Sequence, residues 1–299
     1  DLAEQLKSSV SCTVRLNELM SGHTSFKIGG PADILVLPES IEQLREVLKV
    51  VKETVVPLTL LGNGSNVLVR DKGIRGIVIK LGNMLRHFYE AEDLLVFGSG
   101  YSLALASYKA MECGKTGMEF AVGIPGSIGG AVYMNAGAYD GEMQNIVNCV
   151  KVMDLQGNER VLTAEELNFG YRKTSLQNSG LIVTEVTLKM PSGNKDEIKS
   201  KMDDFSHRRI SKQPLEMPSA GSMFKRPPGY FAGTLIDQAG LKGYTVGGAQ
   251  ISTKHAGFVV NVGGATAADV LQLIKDVQTK IKAGVGVELQ PEVLVIGEE

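Results

Sequence analysis

The hydrophobic pattern of residues 1–80 alternates between apolar runs of strand length and one amphipathic stretch. The run at 34–37 ends at Pro38, and Ser40 then precedes apolar positions that recur at helical spacing. This pattern predicts a strand followed by a serine-capped helix. Three further runs of strand length, separated by glycine-containing turns, lie at 58–61, 67–69 and 76–81. Residues 1–80 are therefore predicted to form one small α+β domain.

The same alternation continues through residues 81–205, which we predict to be a second domain. A helix is expected at 102–113 and should end at Gly114, because glycine readily adopts the left-handed conformation that terminates helices. The turn Gln156-Gly157-Asn158 separates two apolar runs and predicts a hairpin. The strands expected in this domain lie at 94–97, 147–154, 159–162 and 181–190.

Residues 206–299 are predicted to form a third domain, again α+β. A charged helix from Lys195 to about Arg209 precedes it and is interpreted as the connector between domains. A second helix is expected at 267–282, with one apolar face made of Val270, Leu271, Ile274, Val277 and Ile281. A strand pair at 257–262 and 292–296 is expected to lie around this helix.

Composition and charge narrow the class of protein. The 299 residues are 43% hydrophobic and 21% charged, as in an ordinary globular chain. A net charge of -2 and a pI near 6.2 provide no uniform positive field for binding nucleic acid. No apolar run approaches the ~20 residues needed to span a bilayer, and the three cysteines form no CxxC pair. We therefore expect a cytoplasmic protein that binds neither nucleic acid nor membranes. Separately, the protein is expected to be a monomer.

Glycines cluster in two polar segments that carry the first chemical signal. In Gly62-Asn63-Gly64-Ser65-Asn66 and in residues 117–131, the missing Cβ atoms let backbone amides approach a ligand, and successive amides can surround an anion. The first segment contains no Lys or Arg and is therefore not a Walker A loop. Tight surface turns or close backbone packing would also account for these glycines. No amphipathic helix fits 117–131, and Gly98-Ser99-Gly100 lacks the third glycine of a Rossmann fingerprint and is interpreted as structural.

Seven motifs together resemble those of the UDP-N-acetylenolpyruvoylglucosamine reductase family, over nearly the whole chain. The glycine motifs alone would indicate only a wider superfamily of FAD-binding proteins that includes vanillyl-alcohol oxidase. The motifs are Leu61-Gly62-Asn63-Gly64-Ser65-Asn66, Gly123-Ile124-Pro125-Gly126-Ser127-Ile128-Gly129-Gly130, Asn135-Ala136-Gly137-Ala138-Tyr139, Gly170-Tyr171-Arg172, Ala220-Gly221-Ser222-Met223-Phe224-Lys225, Leu235-Ile236-Asp237 and Pro291-Glu292-Val293.

The resemblance implies an α+β fold in which a two-part FAD-binding region of the vanillyl-alcohol oxidase type precedes a C-terminal α+β substrate-binding domain. FAD is expected to be bound non-covalently, because neither glycine loop contains a His or Cys to which it could be attached. The four histidines are scattered, so no metal is predicted. The residues implied in cofactor binding are Gly62, Asn63, Gly64, Ser65, Asn66, Gly123, Pro125, Gly126, Ser127, Gly129, Gly130, Ala131, Asn135 and Gly137.

In this family NADPH reduces the flavin, which then passes hydride to the enolpyruvyl β-carbon of a UDP-sugar. The resemblance implies that Ser222 donates the proton to the α-carbon, while Arg172 and Glu292 stabilise the enolate. A guanidinium suits that task, because it makes a planar two-point contact with a carboxylate. The predicted activity is NADPH-dependent reduction of UDP-N-acetylglucosamine enolpyruvate to UDP-N-acetylmuramate, a step in peptidoglycan precursor synthesis.

The residues implied on the substrate side are Tyr171, Lys212, Lys225, Arg226 and His255. Arg226 stands where one branch of the family has Asn, and Gln290 and Leu294 replace the Glu and Arg that frequently flank the family's Pro-Glu-Val motif. Between Arg172 and Ser222 the chain lacks the inserted loop that carries a substrate-clamping Tyr in the other branch. It is therefore similar to the loop-lacking second type.

Two other functions remain open at this point. An FAD-linked oxidase of the same superfamily, acting on an alcohol or another sugar, would explain the glycine loops but not the set of Arg172, Ser222 and Glu292. A non-catalytic nucleotide-binding module would hold its ligand without turnover.

Overall fold

The computed structural model describes residues 1–299. Helices α1 to α7 cover, in chain order, Leu2–Ser9, Ile41–Lys52, Leu103–Glu112, Ile128–Tyr133, Lys195–Lys212, Ala232–Gln238 and Ala267–Val285. Strands β1 to β17 cover, in chain order, Thr13–Leu19, Pro31–Leu37, Leu58–Leu61, Val67–Val69, Ile74–Lys80, Phe88–Ala91, Leu94–Gly98, Gly137–Ala138, Gly141–Glu142, Val147–Met153, Glu159–Thr163, Ile182–Lys189, Ser219–Ser222, Thr245–Val246, Ala249–Ile251, Phe258–Asn261 and Leu294–Ile296. No helix combines the length and apolar character that a membrane crossing requires.

The predicted helix caps are present. The Ser40 side chain accepts a hydrogen bond from the Gln43 N–H at the start of α2. Helix α3 is followed by Gly114 at φ 67°, the left-handed conformation that ends a helix. The start of α7 has a capping box between Thr266 and Asp269, which was not among the predicted caps. These ends depend on residues only three or four positions apart, which is why the sequence signals them.

The chain divides into two compact units. The first contains residues 1–14, 36–63 and 79–209, and the second contains 15–35, 64–78 and 210–299. The division into three domains at 1–80, 81–205 and 206–299 stays a prediction.

The first unit is built on a five-stranded antiparallel sheet with the order β11-β10-β12-β7-β6. The predicted hairpin is confirmed, since Cys149 pairs with Thr163 across β10 and β11. Apolar residues of α3 and α4 pack with this sheet in one core, where Phe97, Ala106 and Val132 are fully buried. The two-stranded ribbon β8-β9 also belongs to this unit, and β1, β2, β5 and β3 form a separate four-stranded sheet.

The second unit is built on the antiparallel sheet β13-β16-β15-β14 and on α7. The predicted apolar face of α7 is buried, apart from the half-buried Leu271, and it also includes Leu273. The Asp71 carboxylate accepts hydrogen bonds from the Ala267 and Ala268 N–H groups at 2.8 and 2.9 Å. It thereby places a negative charge at the positive end of the helix dipole, which fixes the start of α7.

The prediction that 257–262 and 292–296 pair with each other is wrong. Both segments form strands, but β16 lies between β13 and β15. Strand β17 instead pairs in parallel with β4, Leu294 being opposite Val67. A parallel partner from a distant part of the chain leaves no signal in the local hydrophobic pattern, so sequence reasoning could not identify it.

Candidate active site

The two glycine segments approach each other in the first unit. Gly62 follows β3, and a Cβ placed on it would have only the Ser127 Oγ within 4 Å, at 3.9 Å. Asn63 is exposed to solvent, but its side chain also contacts Gly82. A Cβ on Gly82 would collide with that side chain. Open backbone beside a hydroxyl is the arrangement that a phosphate-bearing ligand requires.

The second glycine segment contains both open and packed positions. Gly123, Pro125 and Gly130 are exposed, whereas a Cβ on Gly129 would lie 2.9 Å from the Ser99 Cβ. The Ser127 Oγ accepts a hydrogen bond from the Gly130 N–H at 3.2 Å and so caps α4. No amphipathic helix was expected here, and α4 is short at six residues. Gly129 is therefore needed for packing, while its exposed neighbours can meet a ligand.

Positive φ angles explain why glycine stands at three loop positions. Gly123 has a φ of 74° and Gly126 a φ of 112°, which L side chains rarely adopt. In the second unit, Gly64 has a φ of 69°, and the place of its missing Cβ is taken by the His23 carbonyl oxygen. The Gly64 carbonyl accepts a hydrogen bond from the Ser25 N–H at 3.0 Å. Backbone packing requires this glycine independently of any ligand.

Sequence reasoning missed Arg209, a cation that packs against the second glycine segment. Its side chain is 9% exposed, and its Cδ lies 2.9 Å from the place of a Cβ on Gly123. The guanidinium carbon lies 5.7 Å from the centre of the Tyr139 ring, which stacks on Phe205. Burial lowers the pKa of Arg209, though an arginine stays protonated at neutral pH.

The sequence contains a pattern that indicates burial of Arg209, but the charged residues of α5 obscure it. The buried residues of α5 are Ile198, Met202, Phe205 and Arg209, which recur at spacings of four, three and four. This spacing defines one helical face. The many charged neighbours made the whole helix look solvated, so the arginine on its apolar face went unnoticed.

Arg172 lies at a corner of a tight turn in the first unit. Gly170 and Lys173 exchange backbone hydrogen bonds of 2.9 and 3.1 Å, and Arg172 between them has a φ of 51°. Its guanidinium donates to the carbonyl oxygens of Asn135 and Gly137 and lies 5.0 Å from the centre of the half-exposed Tyr171 ring. The guanidinium is thus held by two main-chain carbonyl groups from a segment that is distant in sequence.

Asn135 is placed differently from the glycines around it. Its side chain is fully buried, and its amide forms hydrogen bonds with protein groups, Gly170 among them. Ala131 is also buried. The roles of both residues in binding a cofactor stay predictions.

The second unit brings Ser222 and Glu292 together. Ser222 is the last residue of β13, opposite Phe258, and is exposed. The chain continues so that the Met223 carbonyl oxygen accepts a hydrogen bond from the Glu292 N–H at 2.8 Å. A hydroxyl and a half-buried carboxyl group that are distant in sequence thus lie on backbone segments joined by a hydrogen bond, Ser222 at the end of β13 and Glu292 just before β17.

Three of the residues predicted on the substrate side belong to the surroundings of Ser222. Lys225 is half-buried, and its N–H donates to the Gln290 carbonyl oxygen at 2.8 Å. Arg226 is exposed, and its guanidinium stacks over the Phe231 ring at 4.0 Å. The ring of His255 makes an edge contact with Phe258, the residue opposite Ser222.

The surroundings of His255 favour its neutral form. Burial lowers its pKa most, and the positive charges of Lys242 and Lys212 lower it further. The unprotonated Nδ1 accepts a hydrogen bond from the Gly257 N–H at 3.0 Å. Lys212 is exposed at the end of α5, close enough for its charge to act on His255.

Comparison with known proteins also indicates an FAD-binding region followed by a distinct C-terminal domain. A family model for an FAD binding domain matches residues 32–163, and one for the C-terminal domain of UDP-N-acetylenolpyruvoylglucosamine reductase matches 213–296. Together with the mixed helices and strands, these matches confirm the expected α+β fold class, an FAD-binding region followed by a C-terminal domain.

Individual relatives agree over almost the full length. The chain is 49% identical to UDP-N-acetylenolpyruvoylglucosamine reductase of Clostridioides difficile and 51% identical to that of Clostridium perfringens, each over 96% of this chain and 94% of the relative. The crystal structure of the reductase from Thermus caldophilus superposes with a TM-score of 0.79 at 38% identity, covering 95% of this chain and 98% of that one. The chain therefore belongs to the UDP-N-acetylenolpyruvoylglucosamine reductase family and is an oxidoreductase with an FAD-binding domain.

Proposed function

We propose that this chain reduces UDP-N-acetylglucosamine enolpyruvate to UDP-N-acetylmuramate, with NADPH as the electron donor, in the synthesis of peptidoglycan precursors in the cytoplasm. The observation that carries the proposal is the hydrogen bond from the Glu292 N–H to the carbonyl oxygen of Met223, the residue after Ser222, within the part of the chain that matches the reductase C-terminal domain. A proton donor at this place suits protonation of the α-carbon, which becomes basic once the β-carbon has accepted hydride.

The residues of the first unit fit FAD. Gly62 leaves its backbone open beside the Ser127 hydroxyl, so that a pyrophosphate has both space and donors. The loops themselves contain no cation, and we assign the balancing charge to Arg209, which packs on Gly123. When bound, FAD would supply the hydride that is taken from NADPH and delivered to the substrate.

Arg172 is assigned to the substrate carboxylate. Hydride addition to the enolpyruvyl double bond builds negative charge on that carboxylate, and a guanidinium is the side chain best suited to bind it by two parallel hydrogen bonds. Hydrogen bonds from two of its nitrogens to backbone carbonyls keep the guanidinium oriented before a ligand binds.

Ser222 is assigned as the proton donor to the α-carbon, and Glu292 stabilises the enolate with Arg172. A serine hydroxyl is a weak acid, but a carbanion-like centre is strongly basic and needs only a well-placed donor. Lys225, three residues beyond Ser222 in the chain, is assigned to the substrate. Tyr171, Lys212, Arg226 and His255 are assigned to the UDP-sugar.

The order of electron transfer tests this function. The purified protein, reconstituted with FAD, should be bleached by NADPH without oxygen and should regain its absorbance near 450 nm when the enolpyruvyl UDP-sugar is added, with UDP-N-acetylmuramate as product. Oxygen should reoxidise it more slowly. Faster reoxidation by oxygen than by the UDP-sugar would support the oxidase alternative, and a protein that takes up no FAD would contradict both enzyme functions.

Replacing Arg209 by methionine should weaken FAD binding. Methionine keeps much of the apolar stem but removes a charge-assisted hydrogen bond to an anion, worth ~1.5–3 kcal/mol, so the Kd for FAD should rise roughly 10- to 100-fold. Quenching of flavin fluorescence on titrating the apoprotein measures this constant directly. The neighbouring Arg208→Met is the matched control, because Arg208 is exposed and pairs with Asp204. Equal Kd values for both variants would show that Arg209 does not serve the cofactor.

A further inference from the structure

The turn that carries Arg172 needs support from outside itself. Arg172 has a φ of 51°, in the left-handed region that residues other than glycine rarely adopt. Two hydrogen bonds between Gly170 and Lys173 close the turn locally. Without further contacts such a turn would sample other conformations, and the position of the Arg172 side chain would vary with it.

Two amide side chains hold this turn at two of its carbonyls. The Asn135 Nδ2 donates to the Gly170 carbonyl oxygen at 2.9 Å, and the Gln177 Nε2 donates to the Arg172 carbonyl oxygen at 3.1 Å. Each amide is itself anchored, since the Asn135 Oδ1 accepts from the Gln144 N–H at 3.0 Å and the Gln177 Nε2 also donates to the Tyr133 carbonyl oxygen at 3.2 Å. The turn is thus fastened to the segment that follows α4.

The same segment also holds the guanidinium. Arg172 Nη1 donates to the Asn135 carbonyl oxygen at 3.3 Å, and Nη2 donates to the Gly137 carbonyl oxygen at 3.1 Å. Asn135 therefore contacts the turn through its side chain and the guanidinium through its backbone. Because Asn135 is fully buried with a φ of 46°, it is itself rigidly placed.

We propose that Asn135 and Gln177 are positioning residues for Arg172, which fix its guanidinium before the substrate binds. The inference rests on the proposed function for what Arg172 does, but the geometry of the support is independent of it. If the two amides were purely structural, removing them would lower the stability of the protein without selectively slowing the step that uses Arg172. If they position Arg172, removing them should selectively slow that step.

The test uses variants of the full-length, FAD-loaded protein. Asn135→Gly removes the first amide, and glycine readily adopts the positive φ of this position. Gln177→Ala removes the second amide from a half-buried site, so it keeps the test possible if the first variant does not fold. Stopped-flow absorbance should show reoxidation by the enolpyruvyl UDP-sugar slowed by roughly 10- to 100-fold in both variants, and flavin reduction by NADPH unchanged in Gln177→Ala, whose residue belongs to no predicted binding set. Thr184→Val, which loses one buried hydrogen bond to the Lys151 carbonyl oxygen, is the control and should leave both rates unchanged.

A double-mutant cycle separates the inference from the proposed function. In the Arg172→Met background, Asn135→Gly and Gln177→Ala should slow reoxidation by no more than about twofold, because the group they position is gone. If Arg172→Met alone leaves reoxidation unchanged, the proposed role of Arg172 fails. Arg172→Met can instead slow reoxidation while the amide variants reduce its rate by the same factor with and without Arg172. In that case the role of Arg172 stands and the positioning inference is overturned.

Discussion

Ser222→Ala is expected to leave reduction of the flavin by NADPH intact and to slow its reoxidation by the enolpyruvyl UDP-sugar by roughly 10²- to 10⁴-fold, the usual contribution of a positioned proton donor. The hydroxyl is needed only after hydride has been accepted, when the α-carbon becomes basic. Ser222 is exposed at the end of β13, so removing one oxygen should leave the strand and its pairing with β16 in place. Stopped-flow measurement of the two half-reactions distinguishes the steps.

A serine on the same strand provides the control for this prediction. Ser219→Ala removes a hydroxyl that accepts a hydrogen bond from the Gly221 N–H, and it should affect neither half-reaction strongly. Equal losses in both half-reactions for Ser222→Ala would mean that Ser222 is structural. A reoxidation rate like that of the unaltered protein would assign the proton to another donor.

Arg172→Met should have a comparable effect, slowing reoxidation by the UDP-sugar by roughly 10²- to 10³-fold, as expected when a preorganised charge partner is lost from a transition state. The physical reason is the charge that builds on the substrate carboxylate during hydride transfer. Arg172→Lys should recover only part of the rate, because an ammonium group cannot form the planar two-point contact. Comparing kcat with KM for the UDP-sugar shows whether the loss falls on the reaction or on binding.

The next residue in the turn is the matched control for Arg172. Lys173→Met removes a positive charge from a position one residue away, and it should change kcat by less than about threefold if only the oriented guanidinium matters. Similar decreases in kcat for both variants would indicate that the positive charge of the turn in general assists the reaction, rather than the oriented guanidinium of Arg172.

Elements with a local signature were predictable from the sequence. Helices α2 and α3 occur where capping or terminating residues indicated them, and α7 occurs where its apolar spacing did. The hairpin of β10 and β11 surrounds its predicted turn. The open and positive-φ glycines of the two loops were equally visible, since many glycines in a polar segment indicate a backbone that turns tightly or is closely approached. In each case the determining contacts join residues close together in the chain.

The short strands of the second unit were less visible. Strands β13, β14 and β15 contain two to four residues, too few to establish a period of alternation. Arg209 was missed for a different reason, since its function as a buried cation depends on which face of α5 is covered. Asn135 was assigned to the cofactor from its motif, and only the structure showed its amide bound to protein groups.

The sequence by itself determined the fold class, the principal helices and the family, because periodicity, caps and motifs are properties of neighbouring residues. Only the tertiary structure decided that β17 pairs with β4, that Glu292 lies beside Ser222, and that two amides hold the turn of Arg172. These contacts join residues far apart in the chain, and their stability comes from packing and hydrogen bonds that exist only once the backbone has folded.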